Sequence, residues 1–147
     1  MAITIPRSLR SDYELAKSYL CRDARERKIF AKVELSPRHF QLTRDRHGND
    51  RFDPNGNVIH WDPYSALRTT RGGTQTPALG LAHELDHAAE APALEERLAE
   101  KPVTRYDTLE ERRVIRGSEH HAARTLGESI RFDHRGSCYR VATPVSR

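Results

Sequence analysis

His83 and His87 stand four residues apart in the run His83-Glu84-Leu85-Asp86-His87. On a helix that spacing puts both imidazoles on one face, one turn apart, where they can grip a single ion at the about 2.0–2.1 Å that zinc prefers. Glu84 is rotated to the flank, out of ligand position but within reach of a water beside the ion. A carboxylate there serves as general base and then as the acid that protonates a leaving amine. The spacing predicts one Zn2+ per chain and hydrolysis of a peptide bond. Two solvated histidines on a surface helix are the plainer reading of the same letters. Asp86 is the discordant residue, an acid inside the motif; it is expected to reach solvent or a basic neighbour.

A catalytic zinc takes a third protein ligand and keeps one position open. The candidates are Glu110 and Glu111, at the start of a later helix. Adjacent residues are about 100° apart around a helix, so only one of them can face the ion. Glu111 is favoured and Glu110 is the alternative; solvated carboxylates paired with the arginines of 112–116 are the competing account. Glu119 is expected to orient a ligand histidine through its free ring nitrogen. A donor for the developing oxyanion is also required, and Tyr106, His121 and Tyr139 are candidates together with His120 and His134. The sequence does not rank them.

These side chains need elements to carry them. Thr76 and Pro77 form an N-cap and first helical residue, and the helix behind them is predicted to run to about Ala91, with Ala78, Leu81, Ala82 and Leu85 available for burial. A shorter helix is expected over 93–100. Asp107 or Thr108 caps another over 109–116, closed by Gly117; Ser118 caps a last one to Leu126, with Gly127 as its stop. Upstream, Ser11-Asp12 opens a helix over 12–27. Ile29, Ala31, Val33 and Leu35 alternate with polar residues as in a half-buried strand, and Phe40 and Leu42 continue the pattern in a second. Turns follow at His47–Asp50 and Asp53–Asn57, then a strand at Asn57–Trp61. Residues 62–76 read as a loop, and Cys138–Ala142 as a closing strand. The fold class is α+β: a small antiparallel sheet, a metal-bearing helix and C-terminal helices. It forms one domain over 1–147, with the N-terminal helix and sheet in 1–61 and the metal-site helical half in 77–128.

Composition narrows the function classes. The 147 residues suffice for one modest core, with 36% hydrophobic and 31% charged residues. The net charge of +4 rests on arginines interleaved with acids, as in Arg22-Asp-Ala-Arg-Glu-Arg-Lys28, a solvated surface rather than a nucleic-acid stripe. Cys21 and Cys138 lie too far apart in sequence for a zinc ribbon. No apolar run approaches the ~20 residues needed to span a bilayer, so no membrane role is expected. The N-terminus lacks the pattern of a cleavable secretion signal.

Several segments together resemble the NleD-like family of bacterial effector zinc metallopeptidases. They are Asn57-Val-Ile-His-Trp-Asp-Pro63, the stretch from Gly73 through Thr76-Pro77 and His83-Glu84 to His87-Ala88, Glu110-Glu111 with Val114-Ile115 and Gly117, and Glu119 with Leu126-Gly127-Glu128. The chain departs from the family at Asp86 and His120, where an uncharged residue and an asparagine are usual. The resemblance implies a zincin-like fold, His83 and His87 as ligands, Glu84 as base, and a third ligand at Glu110-Glu111. It further implies secretion or delivery into another cell, where some members cleave signalling kinases. By analogy with zincins, Asn57–Trp61 would be the edge strand along which an extended peptide lies. The expected partner is a protein or peptide substrate in a target cell. The alternatives are a zinc-stabilised binding module without catalysis and, less favoured, a basic nucleic-acid-binding domain.

Overall fold

The computed structural model describes residues 2–90 and 105–147. The expected helix over 93–100 lies outside them. The described elements are β1 (Ile3–Thr4), α1 (Arg10–Leu20), α2 (Ala24–Glu34), β2 (Phe40–Arg44), β3 (Arg51–Asp53), β4 (Val58–Trp61), β5 (Ser65–Arg68), β6 (Thr74–Gln75), α3 (Pro77–Ala89), α4 (Leu109–Val114), a wide helical turn (Ile115–Glu119), α5 (His120–Leu126) and β7 (Ser137–Arg140). Together they make a mixed α+β domain.

The first helix is two. Asp23 ends the expected 12–27 segment by capping α2, its carboxylate accepting from the Glu26 amide at 3.0 Å. The expected strand at Ile29–Leu35 is the second half of α2. Glu26, Phe30 and Val33 are its buried residues, at helical spacing, while Leu35 is 83% exposed. The period-two pattern was incidental; residues such as Arg25, Glu26, Lys28 and Ala31 favour helix, and the cap decides it.

The first sheet has the order β1-β2-β4-β3 and is mixed, not antiparallel as expected. β1 pairs with β2, and β2 with β4, in parallel; only β3 and β4 run antiparallel. The β1–β2 connection contains both α1 and α2, ample for a crossover. The expected loop 62–76 holds β5 and β6, which form a second, antiparallel sheet with β7 in the order β6-β5-β7. Short strands whose partner lies some 70 residues away leave little trace in local pattern.

α3 packs against α1, α2, β3, β4, β5 and α4. Ala78, Leu79, Leu81, Ala82 and Leu85 join Leu9, Tyr13, Leu20, Phe30, Leu42, Ile59 and Trp61 in one cluster. Each of the larger side chains contributes about 1.5–3 kcal/mol by leaving water. The Trp61 indole N–H donates to the Pro77 carbonyl at 2.9 Å and ties β4 to the start of α3.

Candidate metal centre

The helix expected to carry the metal, α3, begins as the sequence predicts. Thr76 caps it by accepting from the Leu79 amide at 3.2 Å, with Pro77 in the first turn. Glu128 in turn accepts from the Thr76 amide and hydroxyl and from Tyr19, which anchors this end of α3 to α1. The surface-helix reading fails, because α3 is buried on nearly every side, His83, Glu84, Asp86 and His87 included. Gly80, one turn before the histidines, admits a close approach: a Cβ there would meet an Asp50 carboxylate oxygen at 2.6 Å, so any larger residue would have to displace that side chain.

His83 and His87 turn their Nε2 atoms toward each other, 3.0 Å apart. One Glu111 oxygen lies 2.7 Å from His83 Nε2 and the other 3.1 Å from His87 Nε2. These three residues are the one group among the described residues whose donor atoms converge as metal ligands do, all within 4.8 Å. The far side of each ring is committed. His83 Nδ1 donates to Glu119 at 2.9 Å and His87 Nδ1 to Glu110 at 2.9 Å. A carboxylate can only accept, so each Nδ1 is the donor there, and the Nε2 atoms, which face Glu111 and each other, are the ones that would turn lone pairs to an ion.

The same closeness indicates what an ion relieves. Burial opposes charge on both rings, yet Glu111 and Glu119 raise His83 to about 10, and Glu110 and Glu111 raise His87 to about 9. Burial works against charge on Glu111 and Glu119 too. His83 and His87 nonetheless hold Glu111 far below the usual carboxylate range, and Arg131 and His83 do the same for Glu119. Two nitrogens 3.0 Å apart cannot both bear a proton on the line between them. A divalent cation removes that conflict and matches the borderline-soft nitrogen and carboxylate set favoured by zinc.

α4 explains how adjacent glutamates serve one histidine. Thr108, not Asp107, is its cap, accepting from the Glu111 amide at 3.1 Å. Glu111 faces Nε2 of His87, while Glu110, fully buried, reaches Nδ1 behind it. Beyond α4 the helix is interrupted at Gly117, as expected: inside a wide turn Gly117 leaves helical geometry at φ −96°, ψ −105°, and the chain continues across this kink into α5. The wider turn points both Ser118 and Glu119 inward, so Ser118 donates to Asp86 instead of capping a new helix.

Asp86 is resolved by the same cluster. Arg113 donates through Nη1 to Asp86 at 2.8 Å and forks onto both Glu110 oxygens at 2.7 and 2.8 Å. Asp86, Arg113, Glu110 and His87 thus form one chain of charge-assisted bonds ending on a candidate ligand. The acid in the motif has its basic neighbour, at 33% side-chain exposure. Arg131 plays the matching part for His83, forking onto Glu119 at 2.8 Å through Nε and Nη2.

Glu84 is 6% exposed and lines the cleft on both sides of the histidines. Asp50 stands beside it on both sides as well. Burial drives its carboxyl well above the usual range; the Asp62 amide opposes this and the Glu84 charge adds to it. Of the five candidate oxyanion donors only His134 lines this cleft. Its ring stacks on His83 at 5.7 Å, Nε2 lies 3.2 Å from Glu111, and Nδ1 lies 2.6 Å from Asp107. Tyr106, His120 and His121 line a different hollow. His120 contacts the Arg131 carbonyl, His121 contacts Asp23, and the Tyr139 hydroxyl is buried without a described partner. Arg113 is one of the 112–116 arginines that the sequence offers as partners for these carboxylates, and it does pair with Glu110. Asp50 and Arg131 give no local signal in the sequence.

Comparison with family models, curated proteins and solved structures finds no match for this chain. A functional reading therefore rests on the residues and their geometry.

Proposed function

We propose that this chain is a zinc-dependent endopeptidase, a bacterial effector of the NleD-like kind that is delivered into another cell and cleaves a protein there. The observation that supports it is the convergence of His83, His87 and Glu111 in a cleft that also presents the Glu84 carboxylate. When bound, zinc acidifies water and polarises the carbonyl under attack.

The rest falls to the protein. His83, His87 and Glu111 hold the ion; Glu119 and Glu110 keep both imidazoles in the ligating tautomer. Glu84 takes a proton from the attacking water and returns it to the leaving nitrogen. His134, held by Asp107, is the side chain best situated to meet the developing oxyanion. β4 is hydrogen-bonded on both sides and cannot accept an added strand, contrary to the expectation for Asn57–Trp61. β3 is the edge of that sheet, and Arg51 and Phe52 line the cleft beside Glu84 and His87. An extended substrate would add there.

The test is a search for new protein termini in target-cell extract exposed to the protein and to Glu84→Gln. Termini made only by the unaltered protein are expected. Identical termini with both, or none with either while zinc is bound, would refute the peptidase reading in favour of a zinc-stabilised binding module.

A further inference from the structure

A second hollow lies on the other side of the 131–134 segment, where the α2 N-terminus, the wide turn and α5 meet. Arg25, Arg116 and Arg124 line it from those three elements, with His120, His121, Tyr106 and Phe132. All three arginines are exposed, and among the described residues none has a carboxylate partner. Among the described residues no acid lines the hollow. Two acids of neighbouring segments are engaged: Asp23 accepts from Thr125 and contacts His121, and Asp133 accepts from Thr70 and from the Arg135 amide. A fourth guanidinium, Arg71, sits 3.8 Å over the Phe132 ring at the rim.

Other arginines are paired with acids, in Arg44–Asp12, Arg51–Asp45, Arg113–Glu110, Arg131–Glu119 and Arg140–Asp62, whereas these three share one concavity without a described acid. Leaving like charges together raises the energy of the folded chain unless an anion comes to them. Guanidinium forks beside aromatic faces suit carboxylates and phosphates.

We propose that this hollow binds an acidic stretch of a protein partner. A peptide is favoured over a nucleic acid because Arg25, Arg116 and Arg124 converge from three elements on a single concavity. The hollow also adjoins the metal cleft. Arg131 and His134 line the cleft and Phe132, between them in sequence, lines the hollow, so one segment separates the two. A bound acidic segment would hold its flanking chain near Glu84. That docking role rests on the peptidase reading; the binding does not.

The test is fluorescence anisotropy with a labelled hexaglutamate peptide, using Glu84→Gln protein as the background. Arg116→Ala/Arg124→Ala is compared with Arg7→Ala/Arg46→Ala, which removes the same charge from exposed positions outside the hollow. The proposal expects at least a tenfold loss of affinity in the first pair only. Equal loss in both pairs, no binding by the unaltered protein, or tighter binding of a single-stranded oligonucleotide of equal charge would overturn it. Anisotropy registers binding whether or not the protein cuts, so failure here is separable from failure of the peptidase reading. Circular dichroism of each variant identifies one that has not folded.

Discussion

The metal cleft and the basic hollow share one connecting segment and treat charge in opposite ways. Around and behind the cleft, Asp86, Glu110, Glu111 and Glu119 are each held by an arginine or a histidine. In the hollow, Arg25, Arg116 and Arg124 have no described carboxylate partner. Paired charges fix directions, as a site that must present three donor atoms to one ion requires. Unpaired charges fix nothing and keep their affinity for a visitor.

If that contrast is right, removing a cleft charge is costly. Arg113→Met takes a guanidinium away from two buried carboxylates, Asp86 and Glu110. Unfolding in urea is expected to show a loss of about 3 kcal/mol, at the low end for broken buried pairs because the guanidinium is part-exposed. Glu26 sharpens the contrast from the other side. It is fully buried on α2 with neither oxygen hydrogen-bonded among the described residues. Burial, then the charges of Asp23, Asp86 and Glu119, raise it to about 8. A carboxyl raised in the folded state favours folding below its unfolded value, and that contribution is lost as pH climbs through the folded value. Stability is expected to fall between about pH 5 and pH 8, with Asp50, His83 and His87 acting in the same direction, and Glu26→Gln is expected to remove Glu26's own share of the slope, on the order of 3 kcal/mol. Equal slopes in both proteins would contradict the assignment.

Smaller effects follow at the orienting carboxylates. Glu110→Gln and Glu119→Gln keep the shape but weaken the hold on each Nδ1–H, and zinc affinity by chelator competition is expected to drop about 10–100-fold in each. In the hollow, Arg124→Ala is expected to leave unfolding stability within about 0.5 kcal/mol or to raise it slightly. A loss as large as that of Arg113→Met would end the comparison.

Much of the candidate site was legible because it is local. The i, i+4 histidines, the Thr76-Pro77 start, the Thr108 cap and Gly127, left-handed at φ 71°, all act within one or two turns. The pairing of Glu119 with His83 was also foreseeable once a ligand histidine was assumed. What escaped depends on chain neighbours far apart in sequence. Arg131 meets Glu119, Asp50 meets the Asp62 amide, and β5 meets β7. The misread strand at Ile29–Leu35 shows the opposite hazard. A short alternation suits either period, and a cap six residues upstream, Asp23, settled which one held.

The central claim is that His83, His87 and Glu111 hold one zinc ion. Elemental analysis of the purified protein, after dialysis against zinc and then buffer, tests it most directly. The account predicts about one zinc per chain, retained in Glu84→Gln and lost in His83→Ala and Glu111→Ala. A folded chain that takes up no zinc, or a Glu111→Ala variant that binds it as well as the unaltered protein, would contradict the account.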